Sequence, residues 1–316
     1  MNEAVIEFAA VSKWYGEVLG LREVTLTLGP GITGLLGPNG AGKSTFLRCV
    51  TGELRPSRGE VRVLGRRVPD PETFRQLGYA PEIEVFFEEL TAREFVTALA
   101  EASGMGRAEA RDRAASVLER VGLGAALDRR IATYSKGMRQ RTKLAQAIVH
   151  DPKVILLDEP MTGLDPIARA QMVEMIQALG REGRTVLVSS HILDEVEAMT
   201  RAIVVLYQGQ LLAQGDLHAI RGLIDRHPHR LVLECDRPRD LAAALATESF
   251  VSAVRFLSPT LMELETHLPD DCYAAVPRAA LARGVKLRSL RSPDDNLAAV
   301  FRYLTQDPRG RLGAGA

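Results

Sequence analysis

The sequence predicts an α/β fold: a mixed-sheet core carrying an antiparallel β subdomain and a helical subdomain, followed by a small α+β domain. Three observations predict it. Two continuous apolar runs, Val154-Ile155-Leu156-Leu157 and Thr185-Val186-Leu187-Val188, read as strands buried on both faces, as in a sheet flanked by helices. Half-buried strand patterns open the chain, and helical spacing takes over between about residues 90 and 150. At 316 residues the chain also exceeds the usual size of one hydrophobic core.

Taken in order, Ala4-Val5-Ile6-Glu7-Phe8 and residues 24–28 and 60–63 alternate with β-branched residues and suggest an antiparallel edge sheet. Ile32-Thr33-Gly34-Leu35-Leu36 is strand-like, and residues 45–50 are helical. Phe95, Leu99, Val117, Leu118, Val121 and Leu144 fall at helical spacing and place a helical subdomain at about residues 83–150, in which Ser135 is a candidate N-cap for a helix through Ile148. After Gly215-Asp216 the pattern changes to strand-like residues 231–233, 254–256 and 261–264, with short helical stretches around Leu241 and Ala280. A boundary is expected near residue 217, with an accessory α+β domain over 218–306 and a frayed tail over 307–316.

Composition sets limits on function. With 46% hydrophobic and 25% charged residues the chain is ordinary globular protein. Forty acidic and forty basic residues cancel, so the electrostatic footprint of a nucleic-acid wrapper is missing and no nucleic-acid partner is expected. Cys49, Cys235 and Cys272 lack metal-ligand spacing and read as buried thiols in a reducing compartment. No secretory signal and no apolar run of about 18 residues is visible, so the expected location is cytoplasmic, with any membrane role left to a separate partner.

Gly37-Pro38-Asn39-Gly40-Ala41-Gly42-Lys43-Ser44, followed by Thr45, matches the phosphate-loop pattern between a strand and a helix, which refines the fold class to a P-loop NTPase. Glycines let successive backbone N–H groups turn toward phosphate oxygens, and the following helix adds its positive end. Lys43 reaches the β- and γ-phosphates of ATP, and the Ser44 hydroxyl is a hard oxygen ligand for Mg2+. The run at 154–157 ends in Asp158-Glu159-Pro160, which puts two carboxylates at the end of a buried strand, where such sheets bind their ligands. Asp158 suits the magnesium shell through water, and Glu159 is the candidate general base.

The phosphate loop, Tyr134-Ser135-Lys136-Gly137-Met138-Arg139-Gln140-Arg141, residues 154–160, Gly163-Leu164-Asp165 and Ser189-Ser190-His191 occur in the order and spacing of ATP-binding cassette (ABC) proteins. From about residue 4 to 217 the chain strongly resembles that family. The resemblance implies that Ser135 and Gly137 belong to the signature segment, which closes over the γ-phosphate on the other cassette's phosphate loop. It implies that His191 is the switch histidine beside Glu159, that Asp165 contacts the opposite cassette, and that Tyr15 stacks on adenine, with neighbouring Trp14 leaving the register open. A helix tip with an exposed hydroxyl is also a plausible anion site on physical grounds.

Two segments depart from the family pattern. Lys136 and Met138 replace a glycine and the glutamine of the common signature, and a cation near the γ-phosphate is electrostatically tolerable. In Gly78-Tyr79-Ala80-Pro81-Glu82, Glu82 replaces the glutamine that senses magnesium where the membrane partner docks. Both features resemble the single-cassette, ABC-2-like exporters, whose ATPase pairs with a separate polytopic permease. The closing segment from Leu290-Arg291-Ser292-Pro293 through Asn296 to Tyr303-Leu304-Thr305 resembles that subgroup's terminal helix. The resemblance implies an ATPase of two cassettes, a homodimer being expected, held at the inner face of the membrane through the permease. An importer ATPase, or a soluble cassette acting on ribosomes or nucleic acid, is the alternative.

Overall fold

The structure is a computed structural model and describes residues 4–217 and 229–292. Contacts divide the chain into two compact units, the first ending at Leu217.

In the first unit β1 (Ile6–Tyr15), β2 (Val18–Leu28), β4 (Arg58–Val63) and β5 (Arg66–Arg67) form an antiparallel sheet in the order β2-β1-β4-β5. A six-stranded sheet runs β10-β9-β3-β8-β7-β6, built from β3 (Ile32–Leu36), β6 (Leu77–Ala80), β7 (Val154–Leu157), β8 (Thr185–Ser190), β9 (Ala202–Tyr207) and β10 (Gln210–Asp216). All its ladders are parallel except the β9–β10 pair. Every residue of β7 and β8 is buried, which is why both read as unbroken apolar runs. Alternate side chains serve different cores: Ile155, Leu157, Val186 and Val188 face the helical side, whereas Val154, Leu156 and Leu187 face the antiparallel sheet and α1 (Lys43–Val50). There Phe8 stacks on Phe46 with ring centroids 4.0 Å apart.

The helical subdomain holds α3 (Ala92–Ala102), α4 (Arg107–Arg120) and α5 (Lys136–Ile148). α3 starts in a capping box in which the Thr91 hydroxyl accepts from Glu94 N–H while the Glu94 carboxylate accepts from Thr91 N–H. Fully buried Ala100, Ala110 and Ala114 let these helices approach closely. Two further helices, α6 (Pro166–Arg181) and α7 (Leu193–Glu197), flank β8, and a short α2 (Pro71–Arg75) precedes β6.

The second unit follows the order β11 (His229–Cys235), α8 (Pro238–Leu245), β12 (Val251–Phe256), β13 (Leu261–Thr266), α9 (Pro269–Ala282), β14 (Leu287–Arg291). Its antiparallel sheet order, β12-β13-β11-β14, is that of the split βαβ motif. Leu231, Leu233, Cys235, Met262 and Leu264 form a core with Leu241, Leu245, Cys272 and Val276 of the two helices.

This corrects one expectation. Leu290 and Arg291 do not open a terminal helix; they finish β14, where Leu290 pairs with Leu233 and Arg291 with Val232, because Leu287 and Leu290 both pack against the core of this sheet. The rest of that segment and the expected tail at 307–316 lie outside the described residues. All three cysteines are free and buried. Among the described residues no helix is long and apolar enough to cross a membrane.

Candidate active site

β3 delivers the chain to the phosphate loop at the C-terminal edge of the sheet, and α1 carries it away. Glycine is required at two points of this turn. Gly42 has φ +103°, and a Cβ there would lie 2.6 Å from Gly20 O; a Cβ on Gly37 would lie 2.6 Å from Leu206 O. The first residue of α1, Lys43, is buried, and its Nζ donates to Gly37 O at 2.8 Å and to Pro38 O at 3.4 Å.

The same Nζ lies 3.1 Å from Glu159 Oε1, without the alignment of a hydrogen bond. Glu159 is also buried, and its φ of +48° is unusual for a residue bearing a side chain; such strain is typical of functional sites. Its other oxygen, Oε2, sits 2.9 Å from His191 Nδ1 and 3.5 Å from the Thr162 hydroxyl. Ser189, in the middle of the buried sheet, holds both carboxylate residues: its Oγ donates to Asp158 Oδ1 at 2.6 Å and accepts from Glu159 N–H at 2.9 Å.

Residues 39–45 together with Tyr15, Gly20, Glu82 and Glu159 line a cleft of about 400 Å³. Tyr15 is 43% exposed at its mouth, its hydroxyl 3.3 Å from Thr45 Oγ1, and its ring packs so close to Gly20 that a Cβ there would lie 2.8 Å from it. Trp14 is similarly exposed but does not line the cleft.

Ser135, Gly137 and Asp165 are elsewhere. They line a separate hollow of about 840 Å³ with Lys136, Leu164 and Arg141. Ser135 Oγ caps α5 by accepting from Met138 N–H at 3.3 Å, and Asp165 caps α6 by accepting from Ala168 N–H at 2.9 Å. Within one chain the structure therefore brings Tyr15, Asn39, Gly40, Ala41, Ser44, Thr45, Glu82, Lys43, Glu159, Asp158 and His191 to one region and the signature-like residues to another.

The departures from the family pattern have partners. Lys136 Nζ is 2.8 Å from Glu84 Oε1, Arg139 forms two 2.7 Å bonds with Glu88, and Lys143 Nζ donates to Glu82 O at 3.0 Å. Arg139 holds the Glu88 carboxyl below its usual range, and burial pulls the Lys143 ammonium down to about 8. Sequence reading assigned no role to Ser189 beyond its motif, nor to Thr162, Gly20 or Lys143. None of them stands out locally: Lys143 shares its face of α5 with Lys136 and Arg139, and only the fold shows that it is the buried one of the three.

Residues 21–162 match the ABC transporter family model. An ABC transporter ATP-binding protein of Synechocystis sp. is 39% identical over 228 residues, covering 69% of this chain and 64% of the relative; the chain spans 62% of a Nostoc sp. counterpart. Nod factor export ATP-binding protein I of Rhizobium sp. (strain N33) is 33% identical over 313 residues, 96% of this chain and 98% of the relative. The chain belongs to the ABC transporter ATP-binding proteins. A further relative of this ABC transporter ATP-binding protein is the daunorubicin/doxorubicin resistance ATP-binding protein DrrA of Streptomyces peucetius, 34% identical over 308 residues, 96% of this chain and 93% of that protein. Among solved structures, an ATP-binding subunit of an ABC transporter superposes with TM-score 0.63 at 33% identity over 70% of this chain and 93% of its own. An ATP-binding cassette solved as a dimer in a post-hydrolysis state with ADP and Pi gives 0.62 at 25% identity, over 67% of this chain and 98% of its own.

Proposed function

We propose that this chain is the ATP-hydrolysing subunit of an exporter, in which two cassettes close on two ATP molecules and move a separate membrane permease between two orientations. The observation that carries it is the convergence of Lys43 and His191 on the two oxygens of Glu159 at the phosphate loop, while Ser135 and Asp165 cap helices on another surface that Gly137 also lines. A cleft that lacks the signature residues of its own chain takes them from a second copy. The dimeric cassette to which this chain is similar supports that reading.

In this scheme the loop N–H groups, the positive end of α1 and Lys43 bind the β- and γ-phosphates. Glu159 accepts the proton of the attacking water, and His191 fixes the carboxylate's orientation from its other oxygen. The residues also fit magnesium. Ser44 and Glu82 offer hard oxygen donors lining the cleft and Asp158 adjoins its Glu159, and no set of three or more His, Cys, Asp or Glu among the described residues forms a self-sufficient metal cage. That suits an ion bound mainly by phosphate oxygens and water, with Ser44 and Asp158 beside it. When bound, magnesium neutralises the charge on the phosphates.

Export as the direction rests on the Rhizobium and Streptomyces relatives, whose names record export of Nod factor and resistance to daunorubicin and doxorubicin. A permease partner is supported by an apolar ridge at the end of β6: Ile83, Val85 and Phe87 are 66%, 72% and 69% exposed, at a spacing of two. Through that partner the chain would sit at the inner face of the membrane. The test is purification from detergent-solubilised membranes with ATPase assay. The reading expects a polytopic membrane protein to copurify and Mg-dependent hydrolysis to be lost in Glu159→Gln; hydrolysis that persists in that variant would refute the assignment of Glu159.

A further inference from the structure

Glu195 is only 6% exposed although its neighbour Asp194 faces water, and a carboxylate withdrawn from solvent needs charged or hydrogen-bonding partners. It has one on each oxygen. Oε2 accepts from Ser190 Oγ at 2.7 Å, and Oε1 lies 3.3 Å from Arg169 Nε. Ser190 is the fully buried last residue of β8, and its Oγ also accepts from Ile192 N–H at 3.0 Å, which clamps the turn around His191. His191 then reaches Glu159 Oε2 at 2.9 Å. In the other direction Arg169 stands in the first turn of α6, its N–H donating to Asp165 O at 2.9 Å. The Arg169 Nε atom is buried without an aligned hydrogen-bond acceptor, so its hold on Glu195 is an ion pair sensitive to small shifts of α6.

We infer that Glu195 is a positioning residue, fixing the turn that presents His191 to Glu159 and tying it through Arg169 to the helix that begins at Asp165. Under the proposed function, on which this rests, Asp165 faces the second cassette. The linkage makes the orientation of His191 depend on how that helix is seated, within one chain and without Glu195 touching nucleotide.

The experiment is a double-mutant cycle on the full chain. ATP affinity and single-turnover hydrolysis are measured for wild type, Glu195→Gln, His191→Ala and the double variant, with Arg169→Gln carried through the same cycle. Misplacement of a reacting group by about 1 Å lowers rates on the order of 10²-fold, so Glu195→Gln should slow hydrolysis on the order of 10- to 100-fold while ATP affinity stays within about 2-fold. Because the effect passes through His191, adding Glu195→Gln to His191→Ala should slow it less than about 2-fold further. Wild-type hydrolysis by both Glu195→Gln and Arg169→Gln, or an equal loss in both backgrounds, overturns the inference. If Glu195→Gln does not fold, Arg169→Gln, altered on a half-exposed side chain, decides it by the same criteria. His191→Ala hydrolysing at the wild-type rate would instead remove the proposed role of His191, and this linkage with it.

Discussion

Lys136 Nζ lies 2.8 Å from Glu84 Oε1. The cation that replaces a signature glycine is thereby turned toward the loop after β6, together with Arg139 and Lys143, at positions i, i+3 and i+7 on one face of α5. The three hold Glu84, Glu88 and the Glu82 carbonyl, while Ile83, Val85 and Phe87 on the same loop stay exposed. The apolar ridge and the signature-like helix tip are thus fastened to one another.

Replacing that cation should change communication more than stability. The pair is 46% and 23% exposed, and ion pairs of that kind contribute at most about 1 kcal/mol. Under the proposed function, Lys136→Gly is therefore expected to bind ATP within about 2-fold of wild type, yet to transport less cargo per ATP hydrolysed in vesicles that hold the copurifying membrane protein. Unchanged transport per ATP would show that the tie carries no signal.

Ser189→Ala removes one hydroxyl that serves two groups. It leaves Glu159 N–H without an acceptor and Asp158 Oδ1 without a donor, in a fully buried place, at about 1–3 kcal/mol of stability for each unpaired group. Hydrolysis should fall on the order of 10- to 100-fold with ATP affinity nearly kept. Urea unfolding and single-turnover assays check the two halves separately.

Lys143 gives a pH dependence of definite sign. Burial lowers its pKa from an ordinary 10.5 to about 8, with Lys136 adding to the shift and Glu84, Asp158 and Glu82 opposing it. The unfolded chain therefore binds this proton more tightly, and the destabilisation is complete below pH 8, then fades as pH rises to 10.5. Its full size is about 3 kcal/mol. Cys49 and Cys272, pushed up to about 11 by burial, act oppositely at alkaline pH, so the comparison must be between wild type and Lys143→Met. Between pH 8 and 10, wild-type stability should rise relative to the variant. Parallel curves would show that Lys143 titrates normally.

Lys43→Ala should harm both folding and binding. It leaves Glu159 buried beside no cation, and breaking such a pair costs about 3–5 kcal/mol. Equilibrium dialysis with ATP should show affinity reduced by at least about 10²-fold. Retained affinity would move the phosphate site away from this loop.

Much of this was legible in the chain because its signals are local. β7 and β8 are buried on both faces and so appear as unbroken apolar runs, and the phosphate loop needs glycine where φ is positive or a carbonyl comes close. The β9–β10 hairpin lies outside the predicted strands although 202–207 is as apolar as β8 and Gln208-Gly209 makes a two-residue turn. The helix expected from Leu290 onward rests on resemblance alone, and its first two residues instead end β14, where an irregularity opposite Cys235 turns both Leu287 and Leu290 to the core. The double role of Ser189 and the partners of Glu195 depend on strand register and helix seating, to which no sequence window gives access.

The most direct measurement is the oligomeric state of Glu159→Gln with Mg-ATP, by light scattering at several protein concentrations. With the base neutralised and Lys43 released from its carboxylate, the account predicts a stable dimer that holds two ATP molecules and reverts to monomer when nucleotide is removed. A variant that binds ATP tightly and stays monomeric at every concentration would contradict it.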